Sequence, residues 1–83
     1  MASFYFHFRD GGPEELDEEG CEFDTVRLAS EAAWDALAVM AREMGPPPSS
    51  HEIAVSVCDH TGSEVWRAAM SLAIAQATGR LPH

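Results

Sequence analysis

One segment of this chain reads at the helical period, and it stops abruptly. From Asp24 to Met44, the residues Val26, Ala29, Ala33, Leu37, Met40 and Met44 recur at three- and four-residue spacing, with Arg27, Glu31, Asp35 and Arg42 between them. Asp24 or Thr25 suits the N-cap, where a side-chain oxygen takes a free backbone N–H at the positive end of the helix dipole. Gly45 suits the C-terminal cap, and Pro46, Pro47 and Pro48 cannot continue a helix. A lone rod of about 30 Å, at about 1.5 Å per residue, must bury its stripe on something else. In a chain of 83 residues, which is one domain over 1–83, the flanking segments have to supply it.

Those segments read as strands. Phe4, Phe6 and Phe8 alternate with Tyr5, His7 and Arg9, and side chains on a strand switch faces at every residue. Gly11, Gly12 and Pro13 end that run. A short second strand around Gly20 to Phe23 pairs back as a hairpin with acidic residues at its tip. After the PPPSS connector, HEIAVSVCD sets Ile53, Val55 and Val57 against Ala54, Ser56 and Cys58. The DHTGS segment is a turn in which Gly62 offers a positive φ. EVWRAAMSL can return as the second arm of this hairpin, with Trp66, Ala68, Met70 and Leu72 on one face and Val65, Arg67 and Ala69 on the other. Trp66, Met70, Ile74 and Ala77 also stand at helical spacing, so this segment is open to both readings. We favour strand to about Leu72 and leave 73–83 between a helical turn and a frayed tail.

The expected fold is therefore α+β, a small ββαββ domain with one helix packed on an antiparallel sheet of three to four strands. Phe4, Phe6, Phe8, Ile53, Val55, Val57, Trp66, Met70 and the helix stripe are its expected core. Apolar residues make up 46% of the chain, which suits a folded domain rather than a disordered one. The net charge is −9, and the five basic residues are scattered arginines, which argues against nucleic acid as a partner. The amino end lacks the pattern of a signal peptide, and no apolar run reaches the ~20 residues of a membrane helix. Cys21 and Cys58 are expected as free thiols in a cytoplasmic protein.

The YFHFRDGG opening, the later DEEG, one helix and a closing strand–D-x-x-G–strand hairpin resemble a family of short bacterial proteins, mostly alphaproteobacterial, grouped as domain of unknown function 6894. The resemblance runs from about Phe4 to Leu72, and its matching positions are Phe6, His7, Phe8, Arg9, Asp10 and Gly11, then Asp17, Glu18, Glu19 and Gly20. It implies the strand–helix–hairpin order and a strand over EVWRAAMSL. It implies no catalytic or binding residues. The triple proline and the Ala-rich tail depart from the family's usual pattern.

Eight of the fourteen acids lie between Asp10 and Asp24. Asp10, Asp17, Glu18 and Glu19 could hold a hard divalent cation through oxygen, but the segment does not follow the EF-hand spacing. A solvated, self-repelling loop that discourages edge aggregation is the simpler reading. Cys58 and His60, two apart, would face one side on a regular strand and with His7 or Cys21 could complete a zinc site, although no paired ligand spacing is present. His7, His60, Ser56 and Asp59 supply the residue types of nucleophilic catalysis without a known motif. There is no lysine and no phosphate loop, and so small a core makes a sizeable buried pocket improbable. These features weigh against an enzyme, and no cofactor is expected.

The face of the sheet away from the helix would carry Tyr5, His7, Arg9, Ala54, Ser56, Cys58, Val65, Arg67 and Ala69. Tyr and Arg are enriched at protein interfaces, and Tyr5, His7, Arg9 and Arg67 are the candidate interaction residues. The favoured reading is a non-enzymatic module that self-associates or binds a protein partner through its sheet, by this face or by an unpaired edge strand. The alternative is a domain that responds to a divalent metal through the acidic turn or Cys58 and His60.

Overall fold

Thr25 starts the helix. In the computed structural model, which describes residues 1–46 and 50–73, its hydroxyl accepts the Leu28 N–H at 3.1 Å and Gly45 closes the other end of α1 (Val26–Met44). Before the helix lie β1 (Ala2–Asp10), β2 (Glu14–Glu15) and β3 (Cys21–Phe23). After it come β4 (His51–Cys58) and β5 (Glu64–Leu72). The strands form one antiparallel sheet in the order β2-β1-β4-β5, and β3 pairs with the same edge of β1 as β2 does.

The register aligns residues in rows across the sheet. Phe6, Val57 and Trp66 make one row, and Phe8, Val55 and Ala68 the next. These rows face the helix. Leu37, Ile53, Val55 and Val57 are its largest fully buried side chains, joined by Phe4, Ala29 and Ala33. The two alanines present no side chain beyond Cβ, so the rod can lie close on β4. Phe23 closes one end of the apolar layer, stacked on Phe6 at 5.9 Å between ring centroids and tilted against Phe4 at 6.3 Å.

The α+β class and the single helix across an antiparallel sheet are as expected from the sequence, and EVWRAAMSL is a strand through Leu72. Three details differ. Glu14–Glu15 forms a two-residue strand on Phe8 and Arg9, so the acids flank the edge of β1 rather than filling one hairpin tip. Val26 is 41% exposed, because the buried stripe begins one turn later at Ala29. A bulge between Val57 and Cys58 places Glu64, and not Val65, opposite Cys58. The expectations for the tail beyond Ala73 and for most of the proline connector fall outside the described residues. Among the described residues, no helix is long and apolar enough to cross a membrane.

Candidate interaction surface

The two edges of the sheet are treated differently. Along β1, β3 covers Ala2 to Phe4 and β2 covers Phe8 and Arg9, which leaves a gap at Phe6. Asp17 fills it. Its Oδ2 accepts the Phe6 N–H at 3.1 Å, and its Oδ1 accepts the N–H groups of Glu19 and Gly20, each at 3.0 Å. The Asp17 N–H donates to His7 Nδ1 at 3.0 Å, which assigns the proton of the neutral His7 ring to Nε2. A carboxylate thus stands in for a missing strand residue, and one backbone donor that would otherwise await a partner is satisfied. The Gly20 N–H, with smaller contributions from the Phe6 and Glu19 N–H groups, holds the Asp17 carboxyl below the usual aspartate range despite some loss of water.

This loop closes only with glycine at position 20. Gly20 has φ +75°, and an added Cβ would meet Tyr5 Cε2 at 2.8 Å and the Phe4 carbonyl oxygen at 3.1 Å. Gly20→Ala is expected to destabilise by about 1–3 kcal/mol, from the left-handed backbone and the displaced ring. Gly12→Ala, where nothing lies within 4 Å of the added atom, should stay within about 0.5 kcal/mol. Thermal melts of the two variants check this, and equal losses would remove the packing argument.

On the face away from the helix the rows are Tyr5–Cys58–Glu64, His7–Ser56–Arg67 and Arg9–Ala54–Ala69. The central column is buried, with Ser56 6% and Cys58 7% exposed, because the taller flanking side chains stand over it. Ser56 donates to Glu64 Oε1 at 2.5 Å, and the same oxygen accepts from Arg67 Nε at 2.7 Å. The bulge makes this possible by turning Glu64 away from the apolar face. Ser56, then Arg67, lowers the Glu64 carboxyl, and Glu64 raises the Arg67 guanidinium in return. Among the described residues, no buried side-chain nitrogen or oxygen lacks a partner.

Tyr5, His7 and Arg9 therefore lie along β1, and Arg67 stands across the buried β4 column from them. Tyr5 packs over Gly20, His7 is tied to the acidic loop and Arg67 to Glu64, so the exposed Arg9 is the freest member of the four. Of the catalytic residue types, His7 and Ser56 are cross-strand neighbours, but each is bonded elsewhere, His7 Nδ1 to the Asp17 N–H and the Ser56 hydroxyl to Glu64, while Asp59 and His60 lie beyond the end of β4. Asp59 holds its own turn, accepting from the Thr61 hydroxyl at 2.5 Å and from the Thr61 and Ser63 N–H groups at 2.9 and 3.1 Å, with Gly62 at φ +88°. Thr61 is the main reason its carboxyl is lowered. Strand β4 ends at Cys58, so the alternation that would align His60 with it does not extend that far. Cys58 is buried and His60 exposed. Both cysteines are free thiols. Among the described residues no group of three His, Cys, Asp or Glu is placed to hold a metal ion.

The outer edge of β5 is the contrast. Among the described residues nothing pairs with it, and it contains no proline and one Glu–Arg pair. Beside it, between α1 and β5, lies a groove of about 460 Å³ lined by Arg27, Ser30, Glu31, Trp34, Asp35 and Trp66. Trp34 is 50% exposed. It lies off the helical stripe, and an aromatic residue there is the one sequence signal that could have pointed to this groove.

No curated protein and no solved structure matches the chain. A family model does match, over residues 3–71, which takes in the whole sheet apart from its first and last residues and all of the helix. The chain belongs to the family described as domain of unknown function (DUF6894).

Proposed function

We propose that the chain is a non-enzymatic protein-interaction module that accepts an added strand, from another copy or from a partner protein, along the outer edge of β5. The observation that supports this is the asymmetry of the sheet. The edge at β1 is closed by two short strands and a carboxylate, whereas among the described residues the nine of β5 end the strand order. A strand edge is a row of N–H and C=O groups ready for another chain, and proteins ordinarily blunt such an edge when it has no use. Arg67 borders this edge, and Arg9, His7 and Tyr5 continue the same face beyond the buried column. The polar side chains that could suggest chemistry serve the fold instead: Asp17, Asp59 and Glu64 each satisfy local donors. Two free thiols, Cys21 exposed and Cys58 buried, suit a reducing compartment, and we place the module in the cytoplasm.

A fluorescent peptide of residues 64–72 tests the edge directly. Saturable binding below about 1 mM is expected. Ala68→Pro and Ala69→Pro provide the control, because neighbouring N–H groups on an edge strand point alternately to the sheet and away from it. Whichever of the two retains the native melt should abolish peptide binding. Unchanged binding by that variant, or no binding by the parent protein, would reject the proposal.

A further inference from the structure

Resting on that reading, we infer that the strand taken up is β5 of a second copy, antiparallel about a two-fold axis at Ala68, with the Trp34–Trp66 groove closed in the seam. Charge selects the edge. The chain carries −9, yet eight of its fourteen acids lie between Asp10 and Asp24, around the β1 edge. Strand β5 holds one Glu and one Arg, paired at 2.7 Å, and is neutral. Joining two sheets at β5 places the two β1 strands five strand steps apart, roughly 24 Å at the usual spacing. That is about three Debye lengths at physiological salt, so the acidic loops of the two copies scarcely repel.

Residue sizes select the register. An axis at Arg67 would set two guanidinium groups face to face. An axis at Ala68 sets Arg67 against Ala69 of the second copy, where a small side chain leaves room, and does so in both halves. On the helix side the same axis sets Trp66 against Met70 of the second copy, again twice, a sulfur–aromatic contact. A two-fold axis perpendicular to the sheet keeps both helices on one side. Each Trp34, 50% exposed at the groove it shares with Trp66, then faces the seam. The groove is needed for area as well. A nine-residue strand is about 30 Å long, and pairing along that strip alone falls short of the ~800 Å² per partner of a stable complex. The tryptophan groove supplies the rest.

Sedimentation equilibrium and cross-linking test the inference together. The protein is expected to dimerise with a Kd on the order of 10 µM, and Trp34→Ala to raise it roughly 30-fold or more, as loss of a central aromatic anchor does. In a Cys21→Ser background, Ala68→Cys should form a disulfide-linked dimer on mild oxidation, since paired Cα atoms at the axis stand about 4.5–5.5 Å apart. Ala69→Cys should cross-link far less. Equal cross-linking at the two positions overturns the register, and a Trp34→Ala variant that dimerises like the parent overturns the role of the groove. A strict monomer at 500 µM overturns the second copy as occupant. If that monomer still binds the strand peptide, the module reading survives with a foreign partner, and if it does not, both fall.

Discussion

Leu37→Ala is expected to cost about 2–5 kcal/mol, the range for emptying a well-packed aliphatic site. Leu37 is the one large aliphatic side chain of α1 that is fully buried, and it faces a floor of Ile53, Val55 and Val57. The neighbouring stripe positions, Ala29 and Ala33, are too small to close the space left behind. A domain of 83 residues has a total stability of roughly 4–12 kcal/mol, so this single change removes a large share of it. The melting temperature should fall by roughly 10–30 °C. Leu37→Met, which keeps the volume, should lose less than about 1.5 kcal/mol. Val39→Ala, on the wet side of the same helix, should be neutral or slightly stabilising, because alanine is the better helix former. If Leu37→Ala and Val39→Ala melt alike, the helix is not clamped to the sheet at Leu37.

That core is legible in the sequence for a simple reason. Phe4 to Phe8, Val26 to Met44 and Ile53 to Val57 each carry a period strong enough to fix both element and buried face. EVWRAAMSL carried two periods at once, and pairing decided between them: opposite β4, alternation puts Trp66, Ala68, Met70 and Leu72 under the helix. Helical packing of the same segment would have left β4 without a neighbour on that side. The bulge at Val65 was not legible, since it answers a contact that exists only after folding, the reach of Glu64 to Ser56 and Arg67.

The face of the sheet was legible as a set of residues but not as a surface. Tyr5, His7, Arg9 and Arg67 do share a side, yet the burial of Ser56 and Cys58 between them depends on the heights of neighbours on three strands, which no single segment records. Trp34 lies off the stripe, and its groove forms only when Trp66 comes up beside it. As a count of charges, the acidic turn resembles a cation site. Asp17 is better understood as an acceptor aimed at backbone, and the Asp17–Glu18–Glu19–Gly20 order, an Asp three residues before a glycine, is the turn pattern that could have said so.

Asp17 yields the prediction that separates these two views of the turn. Asp17→Ala removes the acceptor of three backbone N–H groups, of which Phe6 lies on the first strand of the sheet. A loss of about 1–3 kcal/mol is expected at neutral pH, the usual cost of leaving such donors unpaired. Asp17→Asn should not rescue it, because whichever way the amide is turned its NH₂ meets an N–H donor, either that of Phe6 or those of Glu19 and Gly20. The pH dependence carries a definite sign. The folded carboxyl lies below its ordinary value, so its contribution is fully present above about pH 4 and is lost as pH falls through the folded pKa. The stability gap between parent and Asp17→Ala should therefore shrink in acid. The Phe6 amide, protected in the parent, should exchange faster in the variant, and the freed edge should bring concentration-dependent scattering. A gap of equal size at pH 7 and in strong acid, with Phe6 exchange unchanged, would show that the carboxylate does not hold this edge and would return the acidic turn to a loop that only repels.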